Sequence, residues 1–262
     1  MPFGLKDRSI IVTGAARGIG AAIARGLAAE GARVAVADLS KEKAEATVRA
    51  IRDAGGAAIA VEVDVRDRAA VRAMIDEAVK AHGRLDVIFN NAGVAQTKPF
   101  LDITEEDWRF VNEVNALGVL IAMQEAIRTM LAQGGGGKIV NTASIAGKQG
   151  YEPLAHYSAS KFGVVALTQA AARAFGKDGI TANAICPGVV ATDMWKVIDK
   201  GFRDHGLTKK PNEAFETFAA GAALGRASTT QDLVGVACFL ASPASDFMTG
   251  QSLLVDGGMV FV

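Results

Sequence analysis

The stretch "SIIVTGAARGIG", Ser9–Gly20, joins an apolar run to a glycine-rich turn and to the start of a helix-like run. The Ile- and Val-rich run is typical of a parallel strand buried on both faces. Gly14, Gly18 and Gly20 are spaced G-x-x-x-G-x-G, a variant of the commoner G-x-G-x-x-G. Such a turn lets the backbone approach a phosphate that meets the free N–H groups of the new helix. The glycines alone also fit an ordinary strand-to-helix turn.

The same alternation continues along the whole chain. Further strand-like runs are "RVAVAD" from Arg33, "AIAVEVD" from Ala58, "LDVIFNNA" from Leu85, "KIVNTAS" from Lys138, "ITANAICPG" from Ile180 and "SLLVDGG" from Ser252. Runs such as "DRAAVRAMIDEAVKAHG", with apolar residues at helical spacing, separate them. The alternation predicts an α/β fold, a doubly wound parallel sheet with helices on both faces. No linker or repeat divides the chain, so we expect one domain over residues 1–262.

One segment interrupts this rhythm. From Asp193 to about Gly225 the chain is helix-like but more polar, and it follows the sixth strand. It is too long for a simple connection, because loops beyond about 15 residues in compact domains are usually functional or disordered. We therefore expect a small helical lid over a substrate site at about 193–225.

Composition narrows the class of partner. Lys plus Arg and Asp plus Glu both number 28, so the basic excess of nucleic-acid or membrane-surface proteins is missing. We expect no nucleic acid and no membrane, and a small neutral substrate. The two cysteines and three histidines show no metal-binding spacing, so no metal site is expected. These features favour a reduced, cytoplasmic setting.

The second strand-like run ends in Asp38, eighteen residues after Gly20. A carboxylate at this place can accept hydrogen bonds from the ribose hydroxyls of a dinucleotide and would repel a 2′-phosphate. Asp38 therefore favours NAD over NADP, although Arg17 in the turn could attract a phosphate. Asp38 could instead cap the next helix, but Ser40 is better placed to do so. The run "QGGGGK" before Ile139 precedes a strand rather than a helix, so it does not qualify as a phosphate-binding P-loop.

In "HYSASKFG", Tyr157 stands four residues before Lys161, which places both on one helix face. A tyrosine has a pKa of about 10, and lowering it by about 3 units takes about 4 kcal/mol. A unit positive charge at about 4 Å supplies about 4 kcal/mol at an effective dielectric of 20. Lys161 could thus make Tyr157 a general base, with Ser144 at the end of the fifth strand holding the substrate oxygen. In isolation, a solvated helix face would be the favoured interpretation of the pair, since such pairs are common there.

"TGAARGIG", "NNAG" from Asn90, Ser144 and "YSASK" from Tyr157 occur in this order at intervals that resemble the short-chain dehydrogenase/reductase family. "VNALG" from Val114 and "CPGVVATDM" from Cys186 extend the resemblance over essentially the whole chain. The resemblance implies a seven-stranded Rossmann-like sheet and nicotinamide-dependent hydride transfer. It also implies a catalytic tetrad of Asn115, Ser144, Tyr157 and Lys161, with Asn115 on a proton path from Lys161 through water.

The resemblance further implies which residues bind the cofactor. These are Gly14, Arg17, Gly18, Ile19 and Gly20 at the pyrophosphate, Asp38 and Leu39 at the ribose, Asp64 and Val65 at the adenine, Asn91, Ala92 and Gly93 along the cofactor, and Pro187, Gly188, Val190, Thr192 and Met194 at the nicotinamide, with Tyr157 and Lys161 also in contact.

Within the family, "PGVVATDMW" and the tail "SDFMTGQSLLVDGGMVFV" look most like acetoin/diacetyl reductases (2,3-butanediol dehydrogenases) and sorbitol or other polyol dehydrogenases. The expected substrate contacts are Ser144, Ile145, Tyr151, Tyr157 and Trp195, with Gln149 and Glu152 nearby. Enzymes of the butanediol type often have a polar residue where this chain has Ile145.

Two other functions remain open at this stage. A 3-oxoacyl-carrier-protein reductase would share the tetrad but would usually prefer NADPH, and a non-catalytic NAD-binding regulatory protein could use the same fold. The resemblance also implies a homotetramer, with the helix that carries "YSASK" at one interface and the last strand at another.

Overall fold

The structure is a computed structural model that describes residues Phe3–Val262. All seven strand-like runs form strands, which are β1 Ser9–Thr13, β2 Arg33–Asp38, β3 Ala57–Glu62, β4 Val87–Asn90, β5 Gly137–Thr142, β6 Ile180–Pro187 and β7 Ser252–Val255. They make one sheet of order β3-β2-β1-β4-β5-β6-β7, in which every pairing is parallel. The prediction of a Rossmann-like, doubly wound α/β domain is confirmed.

The helices cover both faces of this sheet. They are α1 Gly18–Ala29, α2 Lys41–Asp53, α3 Arg68–His82, α4 Glu105–Asn112, α5 Gly118–Gln133, α6 Ala155–Phe175, α7 Asp193–Asp204, α8 Glu213–Ala220 and α9 Val234–Ala241. Apolar residues of α1, α2 and α9 pack with the sheet into one core, and those of α3, α5 and α6 pack into the other. Because each strand faces a hydrophobic core on both sides of the sheet, nearly all of its residues are apolar.

The strand order reverses between β1 and β4, and hydrogen bonds hold the carboxyl ends of these two strands together. The Thr13 hydroxyl donates to the Phe89 carbonyl (3.2 Å) and accepts from the Asn91 and Ala92 amides (3.0 and 3.1 Å). The Asn91 side-chain amide donates to the carbonyls of Thr13 (3.0 Å) and Gly14 (3.2 Å). A crevice opens at this reversal, where doubly wound sheets bind their ligands.

A π-helical turn, Glu113–Leu117, joins α4 to α5 into one continuous helical stretch. This stretch, Glu105–Gln133, is the one helix among the described residues that is long and apolar enough to cross a membrane. Its most apolar window is 56% buried inside the molecule. Ile121, Ala122 and Ala126 contribute to the core under the sheet, so its apolar character is explained by packing.

The segment expected to form a lid contains α7 and α8, which pack against each other. The buried Asp199 carboxylate of α7 accepts hydrogen bonds from the Asn212 and Ala214 amides (2.9 and 3.1 Å) at the start of α8. Trp195 and Phe202 of α7 meet Phe218 of α8 at ring-centre distances of 5.5 and 5.8 Å. An aromatic cluster therefore holds the two helices together beside the crevice.

Candidate active site

A cavity of about 670 Å³ follows the carboxyl ends of β1, β4, β5 and β6 and reaches under α7. Nearly all of the predicted site residues line it: Gly14, Arg17, Gly18, Ile19, Asp38, Leu39, Asp64, Val65, Asn91, Ala92, Gly93, Ser144, Ile145, Tyr151, Tyr157, Lys161, Pro187, Gly188, Val190, Thr192, Met194 and Trp195. Gly20 and Asn115 lie outside this lining.

The glycine turn forms a cradle at one end of the cavity. Gly14 has a φ of +63°, and a Cβ there would lie 2.8 Å from the Ala92 Cα. Gly18, also in the left-handed region, faces the cavity as the first residue of α1. A Cβ on Gly20 would lie 2.4 Å from the Gly14 carbonyl, so Gly20 serves the close packing of the turn. The bare backbone and the helix N-terminus fit a pyrophosphate.

Asp38 ends β2 at the cavity wall. One carboxylate oxygen accepts a hydrogen bond from the Ala16 amide (3.0 Å), which fixes the side chain toward the glycine turn. The Ser40 hydroxyl accepts from the Lys43 amide (3.3 Å) and caps α2, as the sequence predicts. Asp38 is thus free of the capping role and fits a ribose diol. Arg17 lies 3.5 Å from Asp193 of α7, and both side chains are exposed.

The cavity lining also contains an ion pair that sequence reasoning missed. Arg66 lines the cavity and pairs with Asp64 at 2.7 Å. The hydrogen bond from Arg66 lowers the pKa of Asp64. Val65 packs beside Gly118, where a Cβ would lie 2.8 Å from the Val65 side chain. The turn formed by Asp64–Asp67 brings the Arg66 side chain against the Asp64 carboxylate. The spacing of the two residues in the sequence does not predict this contact.

Ser144, Tyr157 and Lys161 meet at the centre of the cavity, and all three are buried. The Lys161 ammonium donates to the Thr142 carbonyl (2.8 Å) and lies 5.7 Å from the centre of the Tyr157 ring. The Ser144 hydroxyl accepts a hydrogen bond from the Ala146 amide (3.1 Å) and lowers the pKa of Tyr157. Gly147 makes this approach possible, because a Cβ there would lie 2.7 Å from the Lys161 carbonyl. The helix pair read from "YSASK" is therefore an interior pair.

The expected lowering of the Tyr157 pKa is wrong for the cofactor-free protein. Burial raises the pKa of Tyr157 to about 12, and the hydrogen bond with Ser144 offsets part of this rise. Burial also lowers the pKa of Lys161 to about 8. The cost of removing both groups from water outweighs their interaction.

Asn115 lies in the π-helical turn, a feature often found at functional sites. Its side-chain oxygen accepts from the Val94 amide (2.9 Å), and its NH₂ donates to the Val94 carbonyl (2.9 Å) and the Ser160 hydroxyl (3.1 Å). A Cβ on Gly93 would lie 3.2 Å from the Asn115 oxygen and 3.6 Å from the Lys161 ammonium. Asn115 and Lys161 thus face the same glycine, and the proton path stays a prediction.

The end of the cavity under α7 is apolar. It includes Ile145, Tyr151 and Trp195 from the prediction, and also Ala95, Phe110, Leu154, Ile198 and Phe218, which sequence reasoning missed. The Tyr151 hydroxyl accepts a hydrogen bond from the Gln149 side chain (2.6 Å) and keeps its own proton free to donate. The Glu152 carboxylate accepts from the Phe100 amide (3.3 Å) and lies outside the lining. The sequence around Phe218 is that of an ordinary amphipathic helix, so it does not predict that Phe218 reaches the cavity.

Comparison with known proteins identifies relatives over the whole chain. A family model described as enoyl-(acyl carrier protein) reductase matches residues 14–260. L-2,3-butanediol dehydrogenase of Corynebacterium glutamicum is 45% identical over 254 residues, which cover 96% of this chain and 98% of the relative. Galactitol 2-dehydrogenase of Agrobacterium fabrum is 40% identical, with 97% and 98% covered. A 3-oxoacyl-[acyl-carrier-protein] reductase of Staphylococcus aureus is 39% identical, with 96% and 98% covered.

Solved structures share the fold closely. Carveol dehydrogenase from Mycobacterium avium in complex with NAD superposes with a TM-score of 0.91 at 30% identity, covering 98% of this chain and 99% of the other. A gluconate 5-dehydrogenase from Burkholderia cenocepacia in complex with NADP and tartrate gives a TM-score of 0.87 at 37% identity, with 97% and 96% covered.

Burial of Lys161 predicts a pH-dependent contribution to stability. The folded pKa is about 8 against an ordinary value of 10.5, so between these values the unfolded chain holds a proton that the folded chain lacks. The contribution of Lys161 to the free energy of unfolding should therefore rise with pH in this window. Lys161→Met should remove that rise. Urea unfolding of both proteins at intervals from pH 7 to 10 measures it, and parallel curves for the two would contradict the burial effect.

Proposed function

Because the chain belongs to the short-chain dehydrogenase/reductase family and is an oxidoreductase acting on CH–OH groups, we propose that it interconverts a small vicinal diol and its hydroxyketone with NAD. One observation carries the proposal. Ser144, Tyr157 and Lys161 meet where the dinucleotide-type cradle joins an apolar end with a single additional hydroxyl, that of Tyr151.

The chain's own residues would orient the substrate and move one proton. Ser144 holds the reacting oxygen beside Tyr157, which takes the hydroxyl proton in oxidation and returns it in reduction. The bound nicotinamide supplies the hydride acceptor or donor. A Tyr157 pKa of about 12 without cofactor keeps the phenol protonated, ready to donate in reduction. In oxidation, added positive charge from the cofactor would help Lys161 to stabilise the phenolate.

Asp38 supports NAD rather than NADP. Its carboxylate, fixed by the Ala16 amide, lies at the cavity wall next to the glycine turn and would repel a 2′-phosphate. Arg17, the cation that could favour such a phosphate, instead lies beside Asp193 of the lid. The solved relatives include one complex with NAD and one with NADP, so the family alone does not set this preference.

The apolar end supports a small diol with hydrocarbon arms over a sugar alcohol. A buried hydroxyl without a partner costs about 1–3 kcal/mol, and a hexitol would place several there. Apart from Ser144 and Tyr157, the side chains at this end offer two polar groups, the Tyr151 hydroxyl and the Trp195 indole N–H. One such group suits the second oxygen of a vicinal diol. This fits the relation to L-2,3-butanediol dehydrogenase better than that to galactitol 2-dehydrogenase.

An acyl-carrier-protein substrate is the second candidate, favoured by the description of the family model and by one relative. Asp38 argues against the usual NADPH preference, and the zero formal charge offers no basic excess for an acidic carrier. A reducing, cytoplasmic setting is also part of the proposal, supported by Cys186 and Cys238, which are free and buried.

We propose a homotetramer, supported by two exposed apolar regions. Trp108, Leu117 and Phe162 on α4, the π-helical turn and α6 are each nearly half exposed, and Phe247 and Phe261 lie exposed near the edge strand β7. Large aromatic side chains in water favour burial against another copy. Light scattering should give the mass of four chains, whereas the mass of one chain would contradict the proposal.

Tyr157→Phe tests the chemistry directly. Without the phenolic proton carrier, kcat should fall by about 10²–10⁴-fold, while the Kd for NAD stays within about twofold. The chain has two tyrosines, so Tyr151→Phe is the matched control, expected to keep kcat and to raise the KM of the diol. Unchanged turnover in Tyr157→Phe would contradict the proposed role of Tyr157 as the proton carrier.

A substrate panel with both cofactors tests the substrate class. 2,3-Butanediol, acetoin, sorbitol, galactitol and a 3-oxoacyl thioester are assayed with NAD(H) and with NADP(H). We expect the highest kcat/KM for the four-carbon substrates with NAD(H), and a smaller preference for NAD(H) in Asp38→Asn. Activity restricted to the thioester, or a clear preference for NADP(H) in the native chain, would contradict the proposal.

A further inference from the structure

The segment Val94–Lys98, here called the β4 loop, lies between the helix α6 that carries Tyr157 and the lid helix α7. It is held at nearly every residue. Val94 is bonded to Asn115 through both its amide and its carbonyl, and the Lys98 amide donates to the Pro153 carbonyl (2.9 Å). Ala95, between them, lines the cavity. The β4 loop therefore forms part of the wall against which a substrate would lie.

Gln96 connects this loop to α6 and α4 through three side chains. The Gln96 NH₂ donates to the Asp107 carboxylate (2.6 Å), and the Gln96 oxygen lies 3.1 Å from Nε2 of His156. Asp107 is itself anchored, because it forms the capping box of α4 with Thr104. His156 precedes Tyr157 in the chain and is fully buried. The tetrad described above includes none of Gln96, Asp107 and His156.

The bonding pattern fixes the state of the histidine ring. Because the Gln96 NH₂ faces Asp107, its oxygen faces His156, and Nε2 must carry the hydrogen. Nδ1 is buried without a hydrogen-bond partner in the part of the chain that the structure describes. Burial lowers the pKa of His156, which favours the neutral ring. A neutral ring with a single donating N–H can be replaced by a glutamine amide.

The other side of the β4 loop contacts the lid. The Thr97 hydroxyl donates to the Ile198 carbonyl of α7 (3.2 Å), and a Cβ on Gly201 would lie 2.6 Å from the Thr97 side chain. Ala95 packs against two apolar clusters, one around Tyr157 and Leu154 and one around Ile198 and Phe202 of the lid. A shift of the β4 loop would therefore move the lid relative to Tyr157.

We propose that His156 and Gln96 are positioning residues, which set the substrate end of the cavity by fixing the β4 loop between α6 and the lid. The inference rests on the proposed function for its kinetic consequences, since it concerns how that site holds its substrate. The cofactor cradle lies on the other side of the sheet reversal, at Gly14 and Asp38, and the network makes no bond with it. Loss of the network should thus affect the diol and spare the dinucleotide.

The test compares His156→Leu, His156→Gln and Gln96→Leu with the native chain. His156→Leu and Gln96→Leu should lower kcat/KM for 2,3-butanediol by about tenfold, the effect of one lost buried hydrogen bond, mainly through KM. The KM for NAD should stay within about twofold. His156→Gln, which keeps the donating N–H, should restore kcat/KM to within about threefold. His82→Leu, at a half-buried histidine bonded to Ser9 on the far end of the sheet, is the matched control and should leave both parameters unchanged.

A second readout does not depend on turnover. The chain has two tryptophans, so Trp108→Phe leaves Trp195 of the lid as the sole reporter. In that background His156→Leu should increase acrylamide quenching of Trp195, and His156→Gln should not. Unchanged quenching together with unchanged kcat/KM, an equal rise in both KM values, or failure of His156→Gln to restore the native value would overturn the inference. If the native chain oxidised no diol, the proposed function would fail, and quenching would still decide the role of the network.

Discussion

The hydrogen bonds at the reversal of strand order fix the strand ends from which the site is built. Thr13 and Asn91 tie the end of β1 to the end of β4, and through the Thr142 hydroxyl, which donates to the Asn91 side chain (3.3 Å), to the end of β5. These contacts bring Gly14 against Ala92, closer than any side chain would allow. The cradle, the catalytic centre and the β4 loop all start from these three strand ends. A change here would therefore disturb every part of the cavity together.

Desolvation is the second constraint, and it acts on the proposed catalytic pair. Tyr157 and Lys161 are both buried, and burial disfavours the charged form of each. The protein without cofactor thus favours a neutral tyrosine, and it lowers the proton affinity of the lysine toward neutral pH. Such a centre is poised so that an added positive charge shifts the balance toward phenolate. The same burial removes competing water from the reacting oxygen.

Polarity is divided along the cavity. Charged groups such as Asp38 and Arg66 stand at the dinucleotide-type end, whereas aromatic and aliphatic side chains from the β4 loop, α4, the segment after β5, α7 and α8 surround the other end. The apolar Ile145 fits this division. At the same end the Tyr151 hydroxyl, which accepts a hydrogen bond from Gln149, supplies a polar group. In the proposed function, substrate choice is a property of α7, the β4 loop and the turn after β5 acting together.

The seven strands, their parallel arrangement and the glycine-rich turn after β1 could all be predicted from the sequence. Continuous apolar runs and glycine spacing are local signals that survive without knowledge of the fold. The sequence also predicted that Ser144, Tyr157 and Lys161 lie close together. Helical spacing brings Tyr157 and Lys161 onto one face, and Ser144 follows the end of the neighbouring strand. Asn115 was found, but its π-helical turn was not, because one extra residue in a helix leaves no trace in the periodicity.

What surrounds these residues could be seen only in the folded structure. It shows the close packing of Gly20 in the turn and the pairing of Arg66 with Asp64, and contact of Gly20 with a cofactor stays a prediction. The fold also brings Phe218 of the lid and Ala95 of the β4 loop to one wall. The Tyr157 pKa reversed its expected direction, because burial depends on every neighbour of the ring and not on the distance to one lysine. Contacts between residues far apart in the chain have no periodic signature, and desolvation is a sum over such contacts.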